Sequence, residues 1–270
     1  MDYTKYIVKP KKLARRSVLL KGPSGVGKSY QFIKLIEGGW NGLYVHVSEH
    51  TGTVDYIDPD MWPMKRVDVP LSLAEKSDML RDESSDFMLM MEMLRTTDHG
   101  YDFVFFDSLM NYSEALESYL KHDRRLTGFD LWGLFGEKMK VMLRLLVSLT
   151  EPTQAHPIHV IGTWGVEVGQ DWEGKRQTQP IVSGKMVGPR IDYMFDDVLM
   201  LGRNVGPDGN EQYVMYTKPT HEFSAKISSP IDLPPVVADP DLYKLITLIQ
   251  DYAHNPQAGM PSPGTKGSKT

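Results

Sequence analysis

The 270-residue chain contains no cysteine. That absence excludes disulfides, thiolate zinc sites, iron–sulfur clusters and cysteine nucleophiles together. The chain also lacks anything near the roughly 18 consecutive apolar residues that a membrane span needs. Its strongest apolar run, Phe103-Val104-Phe105-Phe106, is only strand length. The first residues are polar and basic with no apolar h-region, so no secretory signal is read. A soluble intracellular protein with no membrane partner is expected. Nor is there an excess of positive charge: 30 Lys+Arg stand against 35 Asp+Glu, a formal net charge of -5. That balance argues against nucleic acid gripped over the whole surface and leaves room for a local basic patch. What is present is an ordinary globular mixture, 41% apolar and 24% charged, enough to bury a sizeable core.

Seven basic side chains (Lys5, Lys9, Lys11, Lys12, Arg15, Arg16, Lys21) and one acid, Asp2, occupy the first 21 residues. They read as a solvated arm over 1–16 or as a phosphate-contacting one. From Ser17 the pattern alternates. Ser17–Lys21 is a short apolar strand, Lys28–Glu37 a helix stopped by Gly38-Gly39, and Leu43, Val45 and Val47 alternate as a strand. Pro59, Pro63 and Pro70 make the next stretch irregular, and Ser85–Thr97 has helical spacing through Phe87, Met88, Met91 and Leu94. That Met-rich stripe is read as core packing. Phe103–Phe106 is a strand buried on both faces. Leu134–Thr150 is a helix, Ile158–Thr163 a strand, and Gly165–Arg190 a long Gly-rich, weakly apolar segment. Phe195–Leu201 and Gln212–Lys218 are two strands joined by Gly-Pro-Asp-Gly, a hairpin signal. Asp241–Tyr252 is a helix, and 255–270, rich in Pro, Gly, Ser and Lys, reads as a disordered tail. Strands alternating with helices predict one α/β domain over 17–254 with a largely parallel sheet.

Gly22-Pro23-Ser24-Gly25-Val26-Gly27-Lys28-Ser29, followed by Tyr30, fits G-x-x-x-x-G-K-[ST] between a strand and a helix. Glycines let successive N–H groups curl around a phosphate, and the helix N-terminus adds a favourable dipole. Lys28 reaches the β- and γ-phosphates and the Ser29 hydroxyl ligates magnesium. Such a loop needs a carboxylate for the metal at the end of another buried strand. Asp107, closing Phe103–Phe106, has that position. Hydrolysis further needs a group that orients water, and Glu49 follows the second strand. His46-Val47-Ser48-Glu49-His50 also spells H-x-x-E-H, a zinc-protease pattern. On a strand its two histidines stand about 13 Å apart, too far for one zinc. No N-K-x-D or T-K-x-D sequence follows the Asp107 strand, which favours ATP over GTP.

Glu49-His50 after an apolar strand, Phe103–Asp107 followed by Ser108-Leu109, and the Gly-rich segment before Phe195–Leu201 together resemble the RecA-like recombinase core. More narrowly, residues 15–230 resemble the small phage RecA-like ATPases of the Sak group, associated with single-strand annealing and recombination. The resemblance implies a RecA-like P-loop core with sheet order 5-1-4-3-2, flanked by helices and followed by a β-hairpin. It implies Mg2+ and ATP, with Glu49 as the catalytic glutamate and Thr163-Trp164 at the sensor position, where RecA has a glutamine. It also implies a homo-oligomer, ring or filament, with ATP between subunits and a lysine after the hairpin reaching across. Lys218 is the matching position, with Lys226 and Arg203 as alternatives.

Two loops would hold single-stranded DNA in such a core. One is Asn111–Asp130, with Lys121, Arg124 and Arg125; the other is Gly165–Arg190, with Trp172, Lys175, Arg176, Lys185 and Arg190. Aromatics among cations suit single strands, because stacking tolerates any base while cations neutralise phosphate. Glu167, Asp171 and Glu173 reduce the net charge of the second loop to +1. The expected activity is DNA-stimulated ATP hydrolysis in recombination or annealing, in the host cytoplasm if the chain is phage-encoded, with a single-strand-binding protein as a further partner. A phosphotransferase acting on a small molecule and a nucleotide-gated assembly protein without a DNA role are the rival readings.

Overall fold

A computed structural model describes residues 15–47, 65–68, 86–170, 173–174, 176–182, 188–206 and 209–254. The apolar runs found in the sequence become the centre of a nine-stranded sheet. In chain order the elements are β1 (Ser17–Gly22), α1 (Tyr30–Glu37), β2 (Gly42–His46), β3 (Lys65–Asp68), α2 (Asp86–Thr96), β4 (Phe103–Asp107), α3 (Leu109–His122) and α4 (Gly128–Ser148). They continue with β5 (His159–Gln170), β6 (Arg176–Pro180), α5 (Gly188–Met194), β7 (Asp197–Val205), β8 (Glu211–Tyr216), β9 (Val236–Ala238) and α6 (Leu242–His254). The strand order is β3-β2-β4-β5-β1-β7-β8-β9, with β6 paired to β5. The strands from β3 through β7 along that path are parallel, and β7-β8-β9 are antiparallel. The five strands expected from sequence therefore lie in the expected order, with β3 added outside β2.

Strand alternation divides the core between the two faces of the sheet. Leu19, Val104, Phe106 and Val160 pack with Met91, Leu94, Leu116 and Phe135 under α2, α3 and α4. Val18, Leu20, Phe103, Phe105 and Ile161 pack on the other face with Phe32 and Leu35 of α1 and Leu242 and Ile246 of α6. Phe32 is central there, its ring 4.9 Å from Tyr44, 5.5 Å from Phe103 and 5.7 Å from Phe105. Among the described residues no helix is long and apolar enough to cross a membrane.

Two expectations are corrected. The first proposed DNA loop, 111–130, is mostly helical: α3 runs to His122, only the turn around Arg124 and Arg125 is open, and α4 begins at Gly128 rather than at Leu134. Ser108 starts α3 with its hydroxyl accepting from the Asn111 N–H at 3.2 Å, and Leu109, Tyr112, Leu116 and Tyr119 supply its buried face. The second, 165–190, is not a featureless Gly-rich segment. β5 runs on to Gln170 and folds back as β6, with Val166 opposite Pro180 and Gln170 opposite Arg176. The basic arm before residue 15 and the tail after residue 254 lie outside the described residues.

One buried group gives the fold a pH dependence. His159 opens β5 with its ring stacked on Trp40 at 4.6 Å, and its Nδ1 accepts the Arg16 N–H at 3.0 Å. Burial first, then the charges of Arg15 and Arg16, push its pKa down to about 3. Between that value and the ordinary 6.5 the unfolded chain binds a proton that the folded chain does not. This contribution is therefore complete above pH 6.5 and is lost as pH falls towards 3. Stability should drop by up to about 1.4 kcal/mol per pH unit in that window. Chemical denaturation of the wild type and of His159→Gln across pH 7 to 4 checks this; parallel pH profiles would contradict it.

Candidate nucleotide site

The phosphate loop leaves the C-terminal end of β1, the sheet edge where parallel α/β folds place their ligands. Gly25 and Gly27 have φ of 75° and 85°, left-handed values that a side chain would strain. They turn the loop into the first turn of α1. The Lys28 Nζ donates to the carbonyls of Gly22 at 2.8 Å and Pro23 at 2.7 Å. Its pKa is lowered by burial, against the opposing pull of the Asp107 charge. An ammonium held this way gains from any anion brought into the loop.

Asp107 ends β4, on the second strand over from β1. Three hydroxyls converge on it. Ser29 donates to Oδ2 at 2.5 Å, Tyr44 to the same oxygen at 2.6 Å, and Thr163 to Oδ1 at 2.6 Å. The structure thus brings together four residues that sequence reasoning selected: Lys28, Ser29, Asp107 and Thr163. Tyr44 was missed. It lies on β2 between the apolar residues Leu43 and Val45, and on a strand bordering Asp107 it projects to the face opposite theirs. That alternation was the available signal.

The donor set suits magnesium. It consists of a hydroxyl and a carboxylate, both hard oxygens, and no group of three or more His, Cys, Asp or Glu able to hold a metal occurs among the described residues. Magnesium takes one or two such protein ligands and completes its shell with phosphates and water. Ser29 and Asp107 are the residues that would hold it.

Glu49 lies outside the described residues, two positions beyond Val47. The approach to it is defined. His46 pairs with Asp107 in the parallel register, the Val47 N–H donates to the Asp107 carbonyl at 2.7 Å, and Asn111 Nδ2 donates to the Val47 carbonyl at 2.7 Å. Asn111, on α3, is a second residue that sequence reasoning placed in a loop and gave no role.

Of the other selected residues that the structure describes, Arg203 alone reaches the loop. Lys218 makes an exposed ion pair with Asp232 at 2.8 Å. Lys226 forms a two-way backbone bridge with Val198 at 2.8 Å. Arg203 reaches the P-loop of its own chain, donating to the Gly25 carbonyl at 2.7 Å, with Glu211 at 3.3 Å. Lys121 pairs with Glu117 and lies 5.5 Å from the Trp132 ring centre. Arg124, Arg125 and Arg190 are exposed, and Arg176 begins β6. Trp172, Lys175 and Lys185 lie outside the described residues.

No curated protein matches the sequence significantly. Among solved structures, the RadB recombinase is similar at 15% identity and a TM-score of 0.44, over 76% of this chain and 81% of that one. The P4 protein from bacteriophage phi6, solved in complex with ADP, is similar at 14% identity and a TM-score of 0.35, over 79% of this chain and 64% of that one. A family model of the AAA domain matches residues 14–229, which span β1 through β8 and the whole phosphate-loop site, and the chain belongs to that family.

Proposed function

We propose that the protein is a RecA-like Mg-ATP hydrolase that binds single-stranded DNA and assists recombination or strand annealing as an oligomer, as in the phage Sak group. The observation that carries this reading is the joining of the Lys28–Ser29–Asp107–Thr163 cluster to the β5–β6 hairpin by one strand. Thr163 touches Asp107, and Trp164, next on β5, donates its indole N–H to the Ile181 carbonyl just after β6 at 2.7 Å. A change at the phosphates is thereby one residue away from the anchoring of the hairpin.

In this reading the P-loop N–H groups and Lys28 bind the β- and γ-phosphates, and Ser29 and Asp107 hold the metal. Magnesium would neutralise charge developing on the phosphates. Glu49 orients the attacking water and accepts its proton. Thr163 holds the Asp107 carboxylate in place. Arg203, bonded to its own P-loop, acts within its subunit, which leaves Lys218, with Lys226 as the alternative, to act on a neighbour's ATP. DNA would contact the turn at Arg124 and Arg125, the hairpin from Arg176, and Arg190, together with Lys121, Trp172, Lys175 and Lys185.

Titration of a labelled single-stranded oligonucleotide at rising salt tests the DNA role. Binding that weakens linearly in log–log form, with a slope reflecting several released counterions, is expected. No binding at low salt would leave an ATPase or assembly switch without a DNA role.

A further inference from the structure

Lys21 is a charged residue buried in the strand that leads into the phosphate loop. It is 1% exposed, and the phosphate chemistry does not use it. Its Nζ donates to Asp192 Oδ2 at 2.6 Å and to the Ser224 hydroxyl at 2.7 Å, and Ser224 donates in turn to the same Asp192 oxygen. The three groups close on one another. The other oxygen, Asp192 Oδ1, is buried without a hydrogen-bond partner among the described residues, which is costly for a carboxylate.

Asp192 and Ser224 also line a cleft of about 1250 Å³ between the β5–β6 hairpin, α5, β7 and the start of α4. Aromatic side chains stand at its mouth. Phe129 is 96% exposed, Tyr193 84% and Trp132 39%. One has a cation over its ring, and the other two have arginines a few residues away in sequence. Lys121 lies over the Trp132 ring, Arg190 is one helical turn from Tyr193 on α5, and Phe129 follows the turn that exposes Arg124 and Arg125. Exposed aromatic faces beside guanidinium and ammonium groups fit unstacked bases on a phosphate backbone.

We propose that single-stranded DNA docks its bases in this cleft, and that the Lys21–Asp192–Ser224 triad transmits occupancy of the cleft to the phosphate loop. This rests on the DNA-binding reading above. The coupling is mechanical. Lys21 is continuous with Gly22, and a Cβ at Gly22 would stand 2.6 Å from the Leu201 carbonyl oxygen and 2.8 Å from Val26 Cγ2. The loop entrance therefore has no slack. A shift of α5 that re-aims Asp192 pulls on Lys21 and changes where the loop begins. Lys21 and Asp192 act as positioning residues and touch neither phosphate nor metal.

The test measures the Kd of a non-hydrolysable ATP analogue by calorimetry, with and without saturating oligothymidylate, on the full chain. In the wild type the two values should differ about fivefold or more, and in Lys21→Met the ratio should fall to within about twofold of unity. The paired variant K21M/D192N removes both charges and serves if the single variant fails to fold. In Phe129→Leu and Tyr193→Leu the oligonucleotide should bind roughly tenfold more weakly. A wild-type ratio retained in the Lys21 variants overturns the inference. So does a wild type that binds DNA with no effect on the nucleotide, or a cleft variant that loses self-association while keeping its DNA affinity. If the wild type binds no oligonucleotide at all, the functional reading itself fails, an outcome distinct from the others.

Discussion

Lys28→Ala is expected to abolish measurable ATP binding while leaving the fold intact. Among the described residues the ammonium bonds only to the carbonyls of Gly22 and Pro23, so its loss removes no packing from the core. With nucleotide bound it would exchange those carbonyls for phosphate oxygens. Two charge-assisted hydrogen bonds of about 1.5–3 kcal/mol each correspond to a loss on the order of 10²- to 10⁴-fold in affinity. The lowered pKa of Lys28 has the same sense, because a partly desolvated cation gains more from an anion than an exposed one does. Calorimetric titration with ATP and magnesium, beside a thermal melt, separates the two effects. An unchanged Kd would remove the phosphate-loop assignment.

Glu49→Gln should have the opposite profile, with ATP bound and turnover nearly lost. Glutamine keeps the size and one acceptor of glutamate but cannot take a proton from water. A general base contributes about 10²- to 10⁴-fold, and the fall in kcat should lie in that range. The described strand leading towards Glu49 is anchored at the candidate metal site. β2 runs parallel to β4, and its end is tied to Asp107 by the Val47 N–H and to α3 by Asn111. Glu49 is two residues further along the sequence, outside the described residues. Phosphate release and nucleotide titration on the same variant give the answer. Near-normal turnover would take Glu49 out of its role.

The clustering of Lys28, Ser29 and Asp107 was legible in the sequence because phosphate chemistry demands particular residue types at particular spacings. The parallel strands were legible for a related reason. A strand covered on both faces, such as Phe103–Phe106, is apolar throughout and stands out from its surroundings. The β5–β6 hairpin was not legible, because it extends past the helices. From Gly165 onwards β5 is half-exposed or exposed at most positions, so no buried face imposes an alternation on Gly165–Gln170. α3 was misread for another reason. Its buried residues at Leu109, Tyr112, Leu116 and Tyr119 have helical spacing, but polar residues between them and three nearby cations made the segment resemble a nucleic-acid loop. Tyr44 and the Lys21–Asp192–Ser224 triad depend on contacts between distant segments, 171 residues apart for Lys21 and Asp192, and no local pattern announces such pairs.

The central claim joins two properties, hydrolysis at the Lys28–Asp107 cluster and response to single-stranded DNA. Steady-state ATP turnover at low salt, with and without a single-stranded oligonucleotide, measures both in one experiment. The account predicts magnesium-dependent turnover that rises when DNA is added and loses that stimulation as salt displaces the DNA. Turnover indifferent to DNA, at concentrations where the nucleotide site is filled, would contradict it.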